Sequence, residues 1–274
     1  MPAIEVAGLA QLSARLEAAV REAGALAHSM FGSPIRTWTK GPTASPVSDA
    51  DIAVDRLLRE RLAGADISAD LGIAWLSEES ADDPARLSAR YVWIVDPIDG
   101  TRGYIEGAAD WAVSAALVES GRPIAACLYA PVGKEFFSAR SGSGAMLNGA
   151  AISATTGASL EGARIAGPRQ LLERLTAIAP PFALMPRMRS LALRLARVAQ
   201  GTFDAAIAGG NSHDWDLAAA DLLVHEAGGA LTPIGGGTVT YNRPVPRHGM
   251  LVATGRNRHA ALTELLRDGR LASS

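Results

Sequence analysis

The sequence predicts a mixed α/β fold, and three observations carry that expectation. Near the start, apolar residues recur at helical spacing, with Leu9, Leu12, Leu16, Val20 and Ala23 on one face. From Gly72 to about Phe137 the pattern changes to short apolar runs rich in aromatic and β-branched residues, as strands require. Helical and strand patterns then alternate to the end, without internal repeats or low-complexity linkers.

The first helix is expected from Ile4 to about Met30, ended by Gly32 and Pro34. Residues Lys40 to Val47, rich in Gly, Pro, Ser and Thr, read as a loop. Ser48 then reads as the N-cap of a second helix, with Asp49 and Asp51 in its first turn. Val54, Leu58 and Leu62 form its buried stripe and Gly64 is its stop. Strands are expected at Ile73–Leu76 and Tyr91–Val95. Trp111–Glu119 and Pro123–Ala130 read as a hairpin about a two-residue Gly121-Arg122 turn. Gly142, Gly144 and Gly149 mark further turns. Ser190–Gln200 reads as a helix closed by Gly201, Phe203–Ala208 as a strand, and Asp216–Ala227 as a helix ended by Gly228-Gly229. A strand at Leu251–Thr254 and a helix at His259–Arg267 complete the series.

With 274 residues, 48% of them hydrophobic, the chain can bury a large core, as one domain or as two joined halves. A shift near Ser153–Gly167 suggests halves at 1–152 and 153–274, the first holding most of the acidic candidates. The 26 basic and 28 acidic residues nearly balance, which argues against a nucleic-acid polymer or a membrane surface as partner. Cys127 is the single cysteine and lies in an apolar run, so it reads as a buried, inert thiol. The start lacks a signal-peptide pattern, and no apolar stretch approaches the ~20 residues that span a bilayer. A cytoplasmic protein is the expectation.

The placement of acids is the informative feature. Asp96 directly follows the apolar run Tyr91–Val95, and a carboxylate there is costly unless paired or bound to a metal. In Asp96-Pro97-Ile98-Asp99-Gly100-Thr101, Pro97 fixes the backbone and Gly100 admits a close ligand. A helix beginning after Asp99 would aim the N–H groups of Gly100 and Thr101 at an anion. Hard oxygen donors beside an anion pocket suit magnesium. The same run also fits an ordinary turn, since Asp, Pro and Gly all favour turns. The spacing of an EF-hand calcium loop is absent. Glu78-Glu79 comes after another apolar run, Asp51 lies in a helical first turn, and Asp216 succeeds Trp215 near a helix start. Each of these also has an ordinary explanation, as a solvated pair, a dipole partner or a cap.

Four blocks in this order resemble the inositol monophosphatase superfamily of lithium-sensitive, magnesium-dependent phosphatases. They are SPVSDADIAVD (Ser45–Asp55), WLSEES (Trp75–Ser80), VWIVDPIDGTRGYI (Val92–Ile105) and HDWDLAAADLLVHEAGG (His213–Gly229). The resemblance spans nearly the whole chain and implies a layered α-β-α-β-α sandwich. It implies that Glu78, Asp96 and the Ile98 carbonyl hold a first magnesium, and that Asp96, Asp99 and Asp216 hold a second. Asp51 and the Thr101 hydroxyl would activate the attacking water, with a weaker third ion at Glu78. Asp99, Gly100, Thr101 and Arg102 would meet the substrate, a small phosphorylated molecule. Among the oligomeric states it allows are a monomer and a homodimer.

Departures from the inositol pattern point within the superfamily toward the 3′(2′),5′-bisphosphate nucleotidase branch, whose substrate is 3′-phosphoadenosine 5′-phosphate. Arg102 comes directly after Gly100-Thr101, and its guanidinium fork suits a second phosphate. Leu191-Ala192-Leu193-Arg194 succeeds Arg189-Ser190 in place of a Gly-Ser/Thr-Ala-Ala segment. Gly209 stands where inositol enzymes carry a glutamate that holds ring hydroxyls. Tyr241-Asn242-Arg243-Pro244 and Arg247, with Lys40, Arg187 and Arg189, are further candidates for a base or a second phosphate, and read equally well as surface charge. An inositol monophosphatase or a sugar phosphatase acting on fructose 1,6-bisphosphate is the alternative, and a non-catalytic metal-binding relative a third reading.

Overall fold

A computed structural model describes residues 6–41, 44–63 and 71–267. Ile4 and Gly64, the expected bounds of the first two helices, lie outside these residues. Helix α1 (Val6–Met30) buries Leu12, Leu16, Val20 and Ala23 along one stripe. The stretch expected as a loop instead forms a hairpin of β1 (Thr37–Lys40) and β2 (Ser45–Ser48), with Thr37 opposite Ser48 and Trp38 opposite Val47. Of the residues that suggested a loop, Ser45 and Pro46 belong to β2, and Thr37, Trp38, Thr39 and Val47 supply the strand propensity. Helix α2 (Asp49–Leu62) comes directly after, capped by Ser48 and burying Val54, Leu58 and Leu62.

A seven-stranded sheet comes next. It runs in order β3 (Ala74–Ser77), β4 (Tyr91–Asp99), β5 (Ala112–Glu119), β6 (Arg122–Ala130), β7 (Glu135–Arg140), β8 (Ala145–Leu147) and β9 (Ala150–Ile152). The five-residue helix α3 (Thr101–Ile105) sits between β4 and β5. Within this sheet β3 and β4 pair in parallel and the other neighbours antiparallel. The β5–β6 turn falls one residue earlier than expected, at Ser120-Gly121, with Glu119 opposite Arg122. Both turn residues have positive φ, 47° and 82°, which a type I′ hairpin turn requires at its two central positions.

The later chain contributes β10 (Arg164–Ala166), α4 (Arg169–Leu175), β11 (Ala183–Leu184), α5 (Leu191–Ala199), β12 (Ala205–Ala208) and β13 (Ser212–His213). It continues with α6 (Asp214–Glu226), β14 (Gly229–Pro233), β15 (Arg247–His248), β16 (Leu251–Gly255) and α7 (Arg256–Arg267). A mixed five-stranded sheet has the order β11-β10-β12-β16-β14. Helix α6 starts two residues before Asp216, because His213 serves as N-cap and its backbone N–H donates to the Asp216 carboxylate.

Five layers result. Helices α1 and α2 cover one face of the seven-stranded sheet, meeting Tyr91, Trp93 and Val95 of β4. Helices α5 and α6 cover the other face, against Val92 and Ile94, and also pack on the five-stranded sheet through Ala206, Leu231 and Ala253. Helices α4 and α7 lie on the far face of that second sheet, with Leu172, Leu175, Leu262 and Leu266 against Ile165, Ile207 and Val252. This is the α-β-α-β-α sandwich. Strand alternation then sets the direction of the first acid: Asp96 shares the face of Val92 and Ile94, so it points toward α6.

Candidate active site

Register brings the acids together. Ser77 pairs with Val95 in the parallel β3–β4 ladder, and the Glu78 N–H donates to the Val95 carbonyl at 3.3 Å, so Glu78 lands beside Asp96. Asp96 pairs with Ser114 on β5, but the next pair is Asp99 with Ala112, three residues on one strand against two on the other. Pro97 has no N–H for the ladder, and the extra residue is a β-bulge. In a regular strand residues three apart point to opposite faces; the bulge turns Asp99 to the side of Asp96. Asp216, at the third position of α6, comes from the opposite layer. The carboxylates of Asp96, Asp99 and Asp216 offer atoms that all lie within 4.8 Å of one another.

Asp99 is held by α5. It accepts hydrogen bonds from the Ser190 hydroxyl, the Leu191 N–H at 3.2 Å and the Ala192 N–H at 2.6 Å, capping that helix across the chain. Gly100 makes this approach possible. Its φ is 96°, and a Cβ there would lie 3.1 Å from both the Asp110 carbonyl oxygen and the Ser190 nitrogen. The first hydrogen bond of α3 runs from the Tyr104 N–H to the Gly100 carbonyl, so the N–H groups of Gly100 and Thr101 have no intrahelical acceptor. The Thr101 hydroxyl lies 3.0 Å from Asp51 Oδ1 and 2.9 Å from the Ile98 carbonyl, and donates to one at a time. Asp51 Oδ2 accepts from the Ser48 N–H at 2.8 Å and from its hydroxyl.

The cluster is electrostatically incomplete. Burial, then the charges of Glu78, Asp99 and Asp216, push the Asp96 carboxyl well above its usual range. Burial likewise raises Asp99, Asp216 and Asp51. Glu78 is pushed up to about 7, by burial above all; Lys40 opposes the rise, and Glu79 and Asp51 add to it. Asp96 Oδ1 is buried and has no hydrogen-bond partner. Three converging carboxylates with an orphaned oxygen fit a hard divalent cation such as magnesium. In the cation-free protein, Glu78 retains in the folded state a proton that the unfolded chain releases between 4.5 and about 7. That contribution to stability is present at low pH and lost as pH rises through about 7. Magnesium is therefore expected to raise the melting temperature more at about pH 8 than at about pH 5.5. Equal shifts in a thermal melt at both values would contradict this account.

An open cleft of about 1170 Å³ includes the cluster. Its wall carries Gly100, Thr101 and the exposed Arg102, together with Arg169, Arg187, Arg189 and Arg194. The other basic candidates are placed elsewhere. Lys40 Nζ bonds Glu79 Oε1 at 2.6 Å and the Glu78 carbonyl at 2.8 Å, and does not line the cleft. Tyr241 is a core residue whose hydroxyl donates to Asp221 Oδ2 at 3.1 Å. The buried Arg86 pins the next residues through Asn242 Oδ1 at 2.7 Å and the Arg243 carbonyl at 3.1 Å. Arg243 and Arg247 do not line the cleft; Arg247 donates to His213 Nε2 at 3.0 Å. His213 stacks on Trp215 with ring centroids 4.6 Å apart, a capping residue beside the cluster. Gly209 presents no side chain. Cys127 is buried, and burial pushes its thiol well up. The sequence signalled Ser190 only as a helix start and not as the clasp on Asp99, and Arg194 only as part of the Leu191–Arg194 run and not as a cleft residue.

Comparison with known proteins agrees with the fold. The model of the inositol monophosphatase family matches residues 9–270. An inositol-1-monophosphatase of Rhizobium meliloti is 34% identical over 210 residues, covering 72% of this chain and 75% of its own. One of Caulobacter vibrioides is 30% identical over 275 residues, covering 92% and 99%. The crystal structure of the extragenic suppressor protein suhB from Bartonella henselae superposes with a TM-score of 0.80 at 28% identity, over 93% of this chain and 98% of that one.

Proposed function

The chain belongs to the inositol monophosphatase family, and on that premise we propose that it is a magnesium-dependent phosphomonoesterase whose preferred substrate is 3′-phosphoadenosine 5′-phosphate. The convergence of Asp96, Asp99 and Asp216 around an unpartnered Asp96 oxygen carries this reading. Glu78, Asp96 and the Ile98 carbonyl would hold one ion, and Asp96, Asp99 and Asp216 a second. A third at Glu78 would be weak, since the Lys40 ammonium lies 3.4 Å from Glu78 Oε1. Magnesium, when bound, supplies positive charge to the phosphoryl oxygens and acidifies a coordinated water.

The chain's own groups do the rest. The Thr101 hydroxyl receives a proton from the attacking water as its own proton passes to Asp51, 3.0 Å away. The new bond forms from the water oxygen to phosphorus as the bond from phosphorus to the ester oxygen breaks on the opposite side, and the departing oxygen takes a proton from water in the open cleft. The N–H groups of Gly100 and Thr101 receive the phosphate. No covalent nucleophile takes part.

The nucleotide preference draws on the cleft. Its volume of about 1170 Å³ exceeds the need of a single phosphorylated ring, and its arginines favour more than one anionic group. Gly209 offers nothing to ring hydroxyls. The names of the bacterial relatives favour inositol 1-phosphate as the alternative. Phosphate release with magnesium from 3′-phosphoadenosine 5′-phosphate, inositol 1-phosphate and fructose 1,6-bisphosphate decides between them. The bisphosphate nucleotide is expected to show the highest kcat/KM, and equal or faster turnover of inositol 1-phosphate overturns the nucleotide assignment.

A further inference from the structure

We propose that Arg187 and Arg194 form a second anion subsite in the cleft, one that takes a phosphate carried on the leaving group of the substrate. The proposal rests on the phosphomonoesterase reading and deepens it. Of the cleft arginines, Arg169 is paired with Glu173 at 2.7 Å and Arg189 with Glu106, while the exposed Arg102 adjoins Gly100 and Thr101, on the side that receives the reacting phosphate. Arg187 is exposed and has no ion pair or hydrogen bond among the described residues.

Arg194 lies one helical turn beyond Ser190, on the side of α5 whose N-terminus clasps Asp99. Its Nε is buried and makes no hydrogen bond. A half-buried guanidinium with an unsatisfied donor is costly, and the nearby Arg187 charge adds to the cost. Asp99 offsets part of the charge, but both of its oxygens already accept from Ser190 and the α5 amides. What would complete the pair is an anion with several acceptor oxygens, and two guanidinium forks match a phosphate. Met185, Met188 and Leu172 line the same cleft and give the body of the substrate an apolar wall.

Both a nucleotide and a sugar can carry such a second phosphate, so the test uses two substrate pairs. These are 3′-phosphoadenosine 5′-phosphate against 3′-AMP, and fructose 1,6-bisphosphate against fructose 1-phosphate. In at least one pair the wild-type protein is expected to favour the bisphosphate through KM. Arg187→Ala and Arg194→Gln should each cut that preference at least tenfold, again through KM rather than kcat, and Arg194→Lys should restore part of it. Arg187 is exposed, so its variant keeps the test open if Arg194→Gln fails to fold. An unchanged ratio in Arg187→Ala, or equal losses on both members of each pair, overturns the subsite and leaves the phosphatase reading standing. Absence of phosphate release from every substrate overturns the phosphatase reading instead. The subsite is then read by calorimetric titration with 3′-phosphoadenosine 5′-phosphate: binding at least tenfold weaker in Arg187→Ala supports it, and equal binding overturns it.

Discussion

Asp96→Asn is expected to reduce phosphate release roughly a thousandfold or more while the fold persists. The substitution removes the charge that both proposed ion sites share, and such charge is worth several kcal/mol in a phosphoryl-transfer transition state. Its effect on stability has the opposite sign. In the cation-free protein Asp96 is a fully buried carboxyl pushed well up by burial and by the neighbouring acids Glu78, Asp99, Asp216 and Asp51, with one oxygen unpartnered. An uncharged amide relieves that repulsion. At neutral pH with a chelator present, the variant should melt at or above the wild-type temperature, and added magnesium should stabilise it far less. Normal turnover by Asp96→Asn would show that the reacting centre lies elsewhere, and a collapsed melting temperature would assign Asp96 a structural role.

Thr101→Val comes next in expected size. Valine matches the shape of threonine but removes the hydroxyl that joins Asp51 to the Ile98 carbonyl. If that hydroxyl passes the proton of the attacking water, kcat should fall roughly 10²–10⁴-fold. Thr101→Ser should retain most of it. Asp51 keeps its bonds from Ser48 in this variant, so the start of α2 stays capped. Asp51→Asn is the less clean test, because one of its two acceptor oxygens becomes a donor facing Thr101 or Ser48. A Thr101→Val enzyme with unaltered kcat would remove Thr101 from the proton path.

How much of this could be read from the chain depended on distance along it. The strand before Asp96 was legible because a continuous apolar run of aromatic and β-branched residues is what a strand buried on both faces requires. The Ser48 cap was legible because it is local. The bulge at Pro97-Ile98 was not, since it exists only relative to Ser114 and Ala112 on the neighbouring strand. The clasp on Asp99 comes from residues 91 to 93 positions later in sequence, and no local pattern announces it. Arg194 stood in an apolar helical run with Arg197 three residues on. Spacing alone did not distinguish the one that lines the cleft from the one that pairs with Glu135 at 2.5 Å. The tail near Arg243 stayed open between substrate contact and surface charge for the same reason: the buried Arg86 that holds its backbone is more than 150 positions upstream.

The order of the layers also bears on how the chain is made. The face of β4 that carries Val92, Ile94 and Asp96 is covered by α5 and α6, and Asp216 lies 120 positions after Asp96. At ribosomal speeds of about 5–20 residues per second, that face waits roughly 6–24 seconds for its cover to be synthesised. During that interval the nascent seven-stranded sheet presents an apolar surface interrupted by acidic side chains, whose mutual repulsion discourages pairing with another such sheet. Asp96 and Asp99, which later converge with Asp216, thus already interrupt that apolar face before its cover exists.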